Sequence, residues 1–521
     1  MQYKYIILFL LLIPVFIFRD YTPDNELKYI SIARDALAQG HFFTFYDHGE
    51  IYADKPPLYL WVIMILQNTF GHVSPFMMSF FSIIPAYVTL LIMDKWTRDY
   101  INQTERLMAA FMLMTTAYFL GASLTIRMDM LMTMFILLAL HCFYSIYTGK
   151  YIGTKKWLFP IYIFLAIFTK GPIGFIIPVV SVILFLISKK ETRLIKDYLG
   201  IRQIGIIILL IAIWFIAVYA EGSYSYLHNL AIKQTLGRSV NAFTHKQPFY
   251  YYLGTMWYAF APWIFFYVGI LYLMIKRRLI KTDIQRLFII TIGSAFLIMS
   301  IISSKLEIYL LPVYPLVTYL SITVFNELKN NKWIKASVII PALLLTLVLP
   351  IYFILGYKII PRELIGDWKV IAAITSLCIT NIIAIFLIVK QKNLIKAINW
   401  ISYGVLTFIF IGSFSISQIN HDIGYKELNK EAEVLSRDRS LIYYHYKSHN
   451  MDYMDVYSDH SVYEIDSLKD LQRLAKNNNY LLIINNKTIR QEKELKKFIS
   501  TRERHQIGES IIVMINRNFV N

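Results

Sequence analysis

GPIGFIIPVVSVILFLIS (residues 171–188), KKETRLIKDYLGIR (189–202) and QIGIIILLIAIWFIAVYA (203–220) decide the class of this chain. The first and third pieces are 18 residues long and carry no charge. The piece between them carries five Lys or Arg against two acids. A bilayer core takes roughly 17–25 apolar residues per helical span. Two such runs joined by a short basic loop read as neighbouring membrane-spanning helices, with the loop on the cytoplasmic side.

Working outward, similar runs recur near residues 5–18, 76–93, 106–122, 129–147, 157–169, 253–275, 287–303, 308–325, 334–355, 370–389 and 397–417, giving thirteen candidate spans. The runs 157–169 and 171–188 are parted only by Lys170, Gly171 and Pro172, so one long kinked segment is an alternative there. The first run follows Lys4 and is succeeded by FRDYTPDNE, with no small-x-small site, so it is expected to be an uncleaved anchor. Composition agrees with a membrane class: 57% hydrophobic, 17% charged, mean hydropathy +0.49. Soluble domains carry about 25% charge.

The net charge is +18, from 52 Lys and Arg against 34 Asp and Glu. It is distributed over short loops such as TGKYIGTKK, KRRLIKTDIQR and KQKNLIK, which excludes a nucleic-acid partner and sets orientation. The N-terminus is placed in the cytoplasm, and the two long loops, 19–75 and 221–252, on the outer side. Residues 1–420 form the membrane domain. Residues 421–521 hold 16 Lys or Arg against 15 acids and read as a small outer α/β domain. SLIYYHY, YLLIINN and ESIIVMIN are its expected strands; LKDLQRLAK and RQEKELKKFIS are its expected helices. Cys142 and Cys378 fall inside spans and read as packed thiols.

Ionisable residues at spans are costly and functional by default. Here they collect at the outer ends. PDNELKYISIARDALAQGHFF starts with Asp24 and Glu26, acids suited to a helix start, and continues with Leu27, Ile30, Ala33 and Leu37 at amphipathic spacing. An interfacial helix follows from that pattern, with Asp24 either at its mouth or as a cap. In YADKPPLYLW, Lys55 stands after Asp54 and before two prolines that stiffen the backbone. It is either a phosphate-binding point charge or a snorkelling interfacial lysine. Asp129 opens a span, and two carboxylates from distant segments can position a metal or activate an acceptor. In SSKLEIYLLPVYP, Lys305 and Tyr309 are four apart, on one helical face. The large outer loop carries Arg238 and His245, and Arg suits bidentate phosphate binding.

In this order, DNELKYISIARDAL, DKPPLYLW, Asp129 at a span start, Thr169 to Pro172, Pro262-Trp263 and Lys305 to Pro312 resemble the bacterial lipid A aminoarabinose transferases and the related dolichyl-phosphate-mannose protein mannosyltransferases, membrane glycosyltransferases of the C-type fold. The resemblance implies an inverting enzyme that moves aminoarabinose, a hexosamine or a hexose from undecaprenyl phosphate to an envelope acceptor. Lipid A is the first choice of acceptor; a protein hydroxyl or another envelope glycan is the alternative. It implies that Asp24 and Asp129 are the carboxylates near the acceptor, with Glu26 in reserve. Lys55, Arg238 and Tyr309 would hold the donor phosphate, with Lys305 beside them. Asp54 stands at a metal-proximal position, so a divalent ion is a conceivable cofactor. It also implies a bacterial inner-membrane location with the active site in the periplasm. Two departures stand out: Asn25 separates the acids that the family has adjacent, and no His occurs near Lys233 and Gln234. A lipid-linked saccharide flippase, the alternative of another class, would place polar residues at mid-span, where these spans are mostly clean.

Overall fold

The computed structural model describes residues 2–71, 73–150, 155–222, 224–230, 246–437, 441–448, 450–458 and 460–516. All thirteen apolar stretches are helical over most of their length, and the chain is a multi-pass helical membrane protein. Among the described residues six helices are long and apolar enough to cross a membrane, or up to ten if each bent pair is one span. Ile173–Ser188 and Val313–Thr323 are apolar but shorter. Shorter helices suffice where their ends are buried in protein rather than in lipid.

Lys155–Lys170 and Ile173–Ser188 are separate helices, joined through Gly171 at φ +91°. They pack closely. A Cβ at Gly174 would fall 2.3 Å from the Ala166 carbonyl carbon, so Gly174→Ala must push the two helices apart. Overpacking of this kind costs about 1–3 kcal/mol. A matching fall in the melting temperature of the purified protein is the expected outcome.

The helix after the basic loop, Ile201–Glu221, buries only Ile207, Trp214 and Val218. Ile208, Leu209, Ile213 and Ile216 remain exposed on it. In water that face would be a liability, and in a bilayer it meets acyl chains.

Three bends shape the end of the bundle that carries the C-terminal domain. Tyr5–Phe18 turns by 99° into Pro23–Gln39, so the expected surface helix lies across the bundle direction, with Leu27, Ile30 and Ala33 buried. Gln103–Met114 turns by 70° into Ala117–Leu124. Tyr251–Ala259 turns by 119° into Ile264–Lys276, around Pro262 and Trp263. Cys142 and Cys378 are buried free thiols.

The described strands are β1 (Tyr46–Asp47), β2 (Glu50–Ile51), β3 (Ile442–Tyr446), β4 (Val462–Ile465), β5 (Tyr480–Asn485), β6 (Arg504–Ile507) and β7 (Ser510–Ile515). β1 and β2 form a hairpin in the first loop. The other five form one sheet in the order β4-β3-β5-β7-β6. β3 runs parallel to β4 and β5, and β7 antiparallel to β5 and β6. The short strands β4 and β6 lie at the sheet edges and were absent from the sequence reading.

Alternation along β5 sends Tyr480, Leu482 and Ile484 to one face and Leu481 and Ile483 to the other. The first face is covered by Leu468–Asn477, Asn486–Gln491 and Lys493–Ile499. The second packs on Lys426–Ser436 and on the turn Met451–Tyr457, which also touches the first loop. The docking is polar. Arg34 binds the Asp455 carboxylate and carbonyl, both at 2.6 Å, and Tyr457 donates to Asp20 at 2.5 Å.

Candidate active site

Asp129 is the first residue of Asp129–Tyr147, where the helix N-terminus favours negative charge. Lys170 is the last residue of Lys155–Lys170, where the opposite end favours positive charge. Packing of these two helices brings the charges together. Asp129 is 1% exposed, and Lys170 Nζ donates to its Oδ1. Arg127 Nε lies 3.2 Å from Asp129 Oδ2. Lys170 Nζ is also 4.8 Å from the centre of the Tyr309 ring, a cation–π distance. Arg127 and Lys55 both contribute to the field at Lys170. Two cations, Lys170 and Arg127, thus share one buried carboxylate, with Lys55 near enough to act on Lys170.

Lys55 is half-buried, with Nζ 3.4 Å from the Asp54 carbonyl, and Pro57 caps the helix Leu58–Phe70 behind it. That frame limits how far the ammonium can swing.

The carboxylates of the first loop have other contacts. Asp24 is exposed, and Asn450 of the C-terminal domain donates to its Oδ1. Glu26 is 1% exposed and fully engaged. Arg19 holds it bidentately at 2.7 and 2.5 Å; Thr22 N, Thr22 Oγ1 and the Ile126 amide complete its shell at 2.8, 3.2 and 2.8 Å. Glu26 therefore ties the start of the surface helix to the strand of chain leading into Asp129. The structure does not bring Asp24 into contact with Asp129. Lys305 is buried and donates to the Gln247 carbonyl at 2.9 Å, which pins the segment before Tyr251–Ala259 and directs its ammonium to backbone. Burial lowers its pKa from the ordinary lysine value. Arg238, His245 and the positions of Lys233 and Gln234 lie outside the described residues.

Asp54 was the sequence candidate for a metal. Among the described residues no group of three His, Cys, Asp or Glu could hold a metal ion, and Asp54 adjoins Lys55. This donor set, among the described residues, does not fit a divalent ion.

The sequence places Lys170 and Arg127 among the ionisable residues at the outer ends of spans but assigns them no role in the site. The signal was available in form: a Lys at a span's end before Gly-Pro, and an Arg two residues before Asp129, all at one end of the bundle. Their convergence on Asp129 depends on helix packing.

Similarity to known proteins points the same way. The family described as dolichyl-phosphate-mannose-protein mannosyltransferase matches residues 54–219. An uncharacterized protein of Aquifex aeolicus is 26% identical over 449 residues, 83% of each chain. The undecaprenyl phosphate-alpha-4-amino-4-deoxy-L-arabinose arabinosyl transferase of Pectobacterium atrosepticum is 26% identical over 56% of this chain and 53% of its own length. That of an Enterobacter species is 25% identical over 61% and 59%. The match thus spans little more than half of those transferases. In structure, ArnT from Cupriavidus metallidurans bound to undecaprenyl phosphate superposes with a TM-score of 0.77 at 15% identity, covering 99% of this chain and 98% of that one.

Proposed function

We propose that this chain is an aminoarabinose-transferase-like membrane glycosyltransferase of the C-type fold, and that it transfers a sugar with inversion from undecaprenyl phosphate to an envelope acceptor, lipid A first. The observation that carries the reading is the pairing of Lys170 and Arg127 with buried Asp129, with Lys55 acting on Lys170 and the Tyr309 ring against its ammonium.

The phosphate of the polyprenyl donor sits against Lys55 and the Tyr309 hydroxyl, with Arg238 completing the set. When the acceptor oxygen attacks the anomeric carbon, the bond from that carbon to the phosphate oxygen breaks. Its electron pair leaves with the phosphate. Fixed cations at that oxygen stabilise the charge as it develops, without reorganisation at the moment of reaction. A phosphate acceptor on lipid A attacks as an anion and needs no base. In that case Asp129 holds Lys170 and Arg127 at the spacing the leaving phosphate requires. Asp24, at the contact with Asn450, orients the acceptor side of the mouth. The positive-inside distribution of short loops supports a cytoplasmic N-terminus, with this site and residues 421–521 on the outer side; the likeness to bacterial transferases supports an inner membrane with that outer side periplasmic.

Lys55→Ala removes one charge at the leaving oxygen and is expected to lower kcat/KM for a polyprenyl-phosphate sugar about 10²-fold, the usual cost of deleting one such donor. Unchanged kcat/KM in a cell-free assay with radiolabelled donor would sink the phosphate assignment. The overall reading is tested by mass spectrometry of lipid A from cells with and without the gene. A sugar-sized mass difference is expected, and identical spectra would exclude lipid A as the acceptor.

A further inference from the structure

Glu307 lies two residues before Tyr309, outside the cationic group. Three tyrosine hydroxyls donate to it. Tyr251 and Tyr258, the latter at 2.5 Å, bind Oε1, and Tyr118 reaches Oε2 at 3.5 Å. A carboxylate offers about four acceptor positions, so Oε2 retains capacity. No Lys, Arg or His among the described residues forms an ion pair with it. Burial alone would raise its pKa, but the phenol hydrogen bonds outweigh that and keep the group below the ordinary glutamate value, hence charged. Its charge has no cationic counterpart among the described residues, so an incoming cation would gain a charge-assisted hydrogen bond at Oε2.

The setting adds a second observation. Tyr251–Ala259 lies across the bundle direction, at 119° to the helix that follows. Phe249, Tyr250, Leu253 and Trp257 are exposed on or just before it, and Tyr258 is 53% exposed. Aromatic side chains in that arrangement sit at the headgroup level of a bilayer. Glu307 therefore stands beside an exposed aromatic patch, and one of its donors, Tyr258, reaches the surface.

We propose that Glu307, ringed by Tyr118, Tyr251 and Tyr258, is the anionic centre of a subsite for a primary ammonium group presented at the membrane surface. The ammonium binds the open side of Oε2. Two sources share this chemistry: the headgroup of an aminoethyl phospholipid, and an amino group on the sugar in transit. Assignment to the headgroup stands without the transfer reading; assignment to the sugar rests on it.

The test titrates full-length purified protein with dihexanoyl phosphatidylethanolamine and with its N-acetyl derivative, followed by tryptophan fluorescence. Wild-type protein is expected to prefer the free amine at least tenfold. Glu307→Gln keeps an acceptor for the tyrosines and is expected to abolish that preference. A second arm compares KM for an amino-sugar donor and its N-formyl analogue in both proteins. Discrimination in the first arm alone assigns a lipid headgroup; in the second alone, the sugar. Equal handling of amine and blocked amine by wild-type protein in both arms overturns the subsite, and this needs no variant to fold. So does a preference that survives in Glu307→Gln.

Discussion

Asp129→Asn is expected to reduce transfer at least a thousandfold, and Lys170→Met to do the same while also destabilising the protein. The two effects have different origins. Lys170 has a side chain only 6% exposed, and Asp129 is buried deeper still. Removing one member of a buried ion pair leaves the other uncompensated, at a cost of about 3–5 kcal/mol. Lys170→Met leaves a buried carboxylate facing a thioether, with only partly exposed Arg127 near it. Asp129→Asn is milder for the fold, because the amide still accepts from Lys170 and Arg127 is 27% exposed and partly hydrated. The double variant removes both charges together. Its stability should return to within about 1 kcal/mol of wild type, the pattern expected of coupled neighbours. Its activity should not return, because the leaving phosphate still lacks Lys170. Melting temperatures and single-turnover transfer on the four proteins separate the outcomes. Recovery of transfer in the double variant would mean that the pair serves only the fold.

Asp455→Ala is expected to release the C-terminal domain from the first loop, measured as a gain in hydrogen exchange and protease cleavage through residues 441–457. Asp455 is the hub of the docking contact: it takes Arg34 at 2.6 Å and His48 Nε2 at 3.4 Å. His48 also faces Asp452 at 3.1 Å and Asp47 at 3.2 Å, while Lys28 and Tyr453 hold Asp47 at 2.8 and 2.9 Å. Each charged hydrogen bond lost here is worth about 1.5–3 kcal/mol when buried. Arg34 is more exposed, and its share falls toward that of a surface pair.

The same contact has a pH signature. Hydrogen bonds that the His48 ring donates to Asp455 and Asp47 raise its pKa from 6.5 to about 10 against the opposing effect of burial. A raised folded-state value means that the contribution is fully present below about pH 6.5 and is lost as pH rises through about 10. Docking should therefore loosen on the alkaline side. His48→Gln should flatten that dependence, and an unchanged alkaline profile would remove His48 from the latch.

Several features of this chain were legible residue by residue. The apolar runs, the basic loops between them, the surface helix after Asp24 and the α/β character of the tail all rest on local periodicity, which a sequence carries directly. Bends were harder. Tyr251–Ala259 and Ile264–Lys276 read as one run, because hydrophobicity does not report direction. The edge strands β4 and β6 were missed because each is four residues long and shows no strong alternation.

The site divides along the same line. By itself the sequence determined which residues are unusual at one end of the bundle: Lys55, Asp129, Lys170, Lys305, Tyr309. It could not say which of them meet. Asp129 finds Lys170 across 41 residues, Glu26 finds the Ile126 amide across 100, and Asp24 finds Asn450 across 426. Only the packing of helices decided that Lys305 faces a backbone carbonyl rather than the cationic group, that Glu26 braces the fold, and that Glu307 gathers three tyrosines. The reason is physical. Propensity and hydrophobic pattern act over a few residues. The field at a buried charge is set by whichever groups the tertiary fold places within a few ångströms of it.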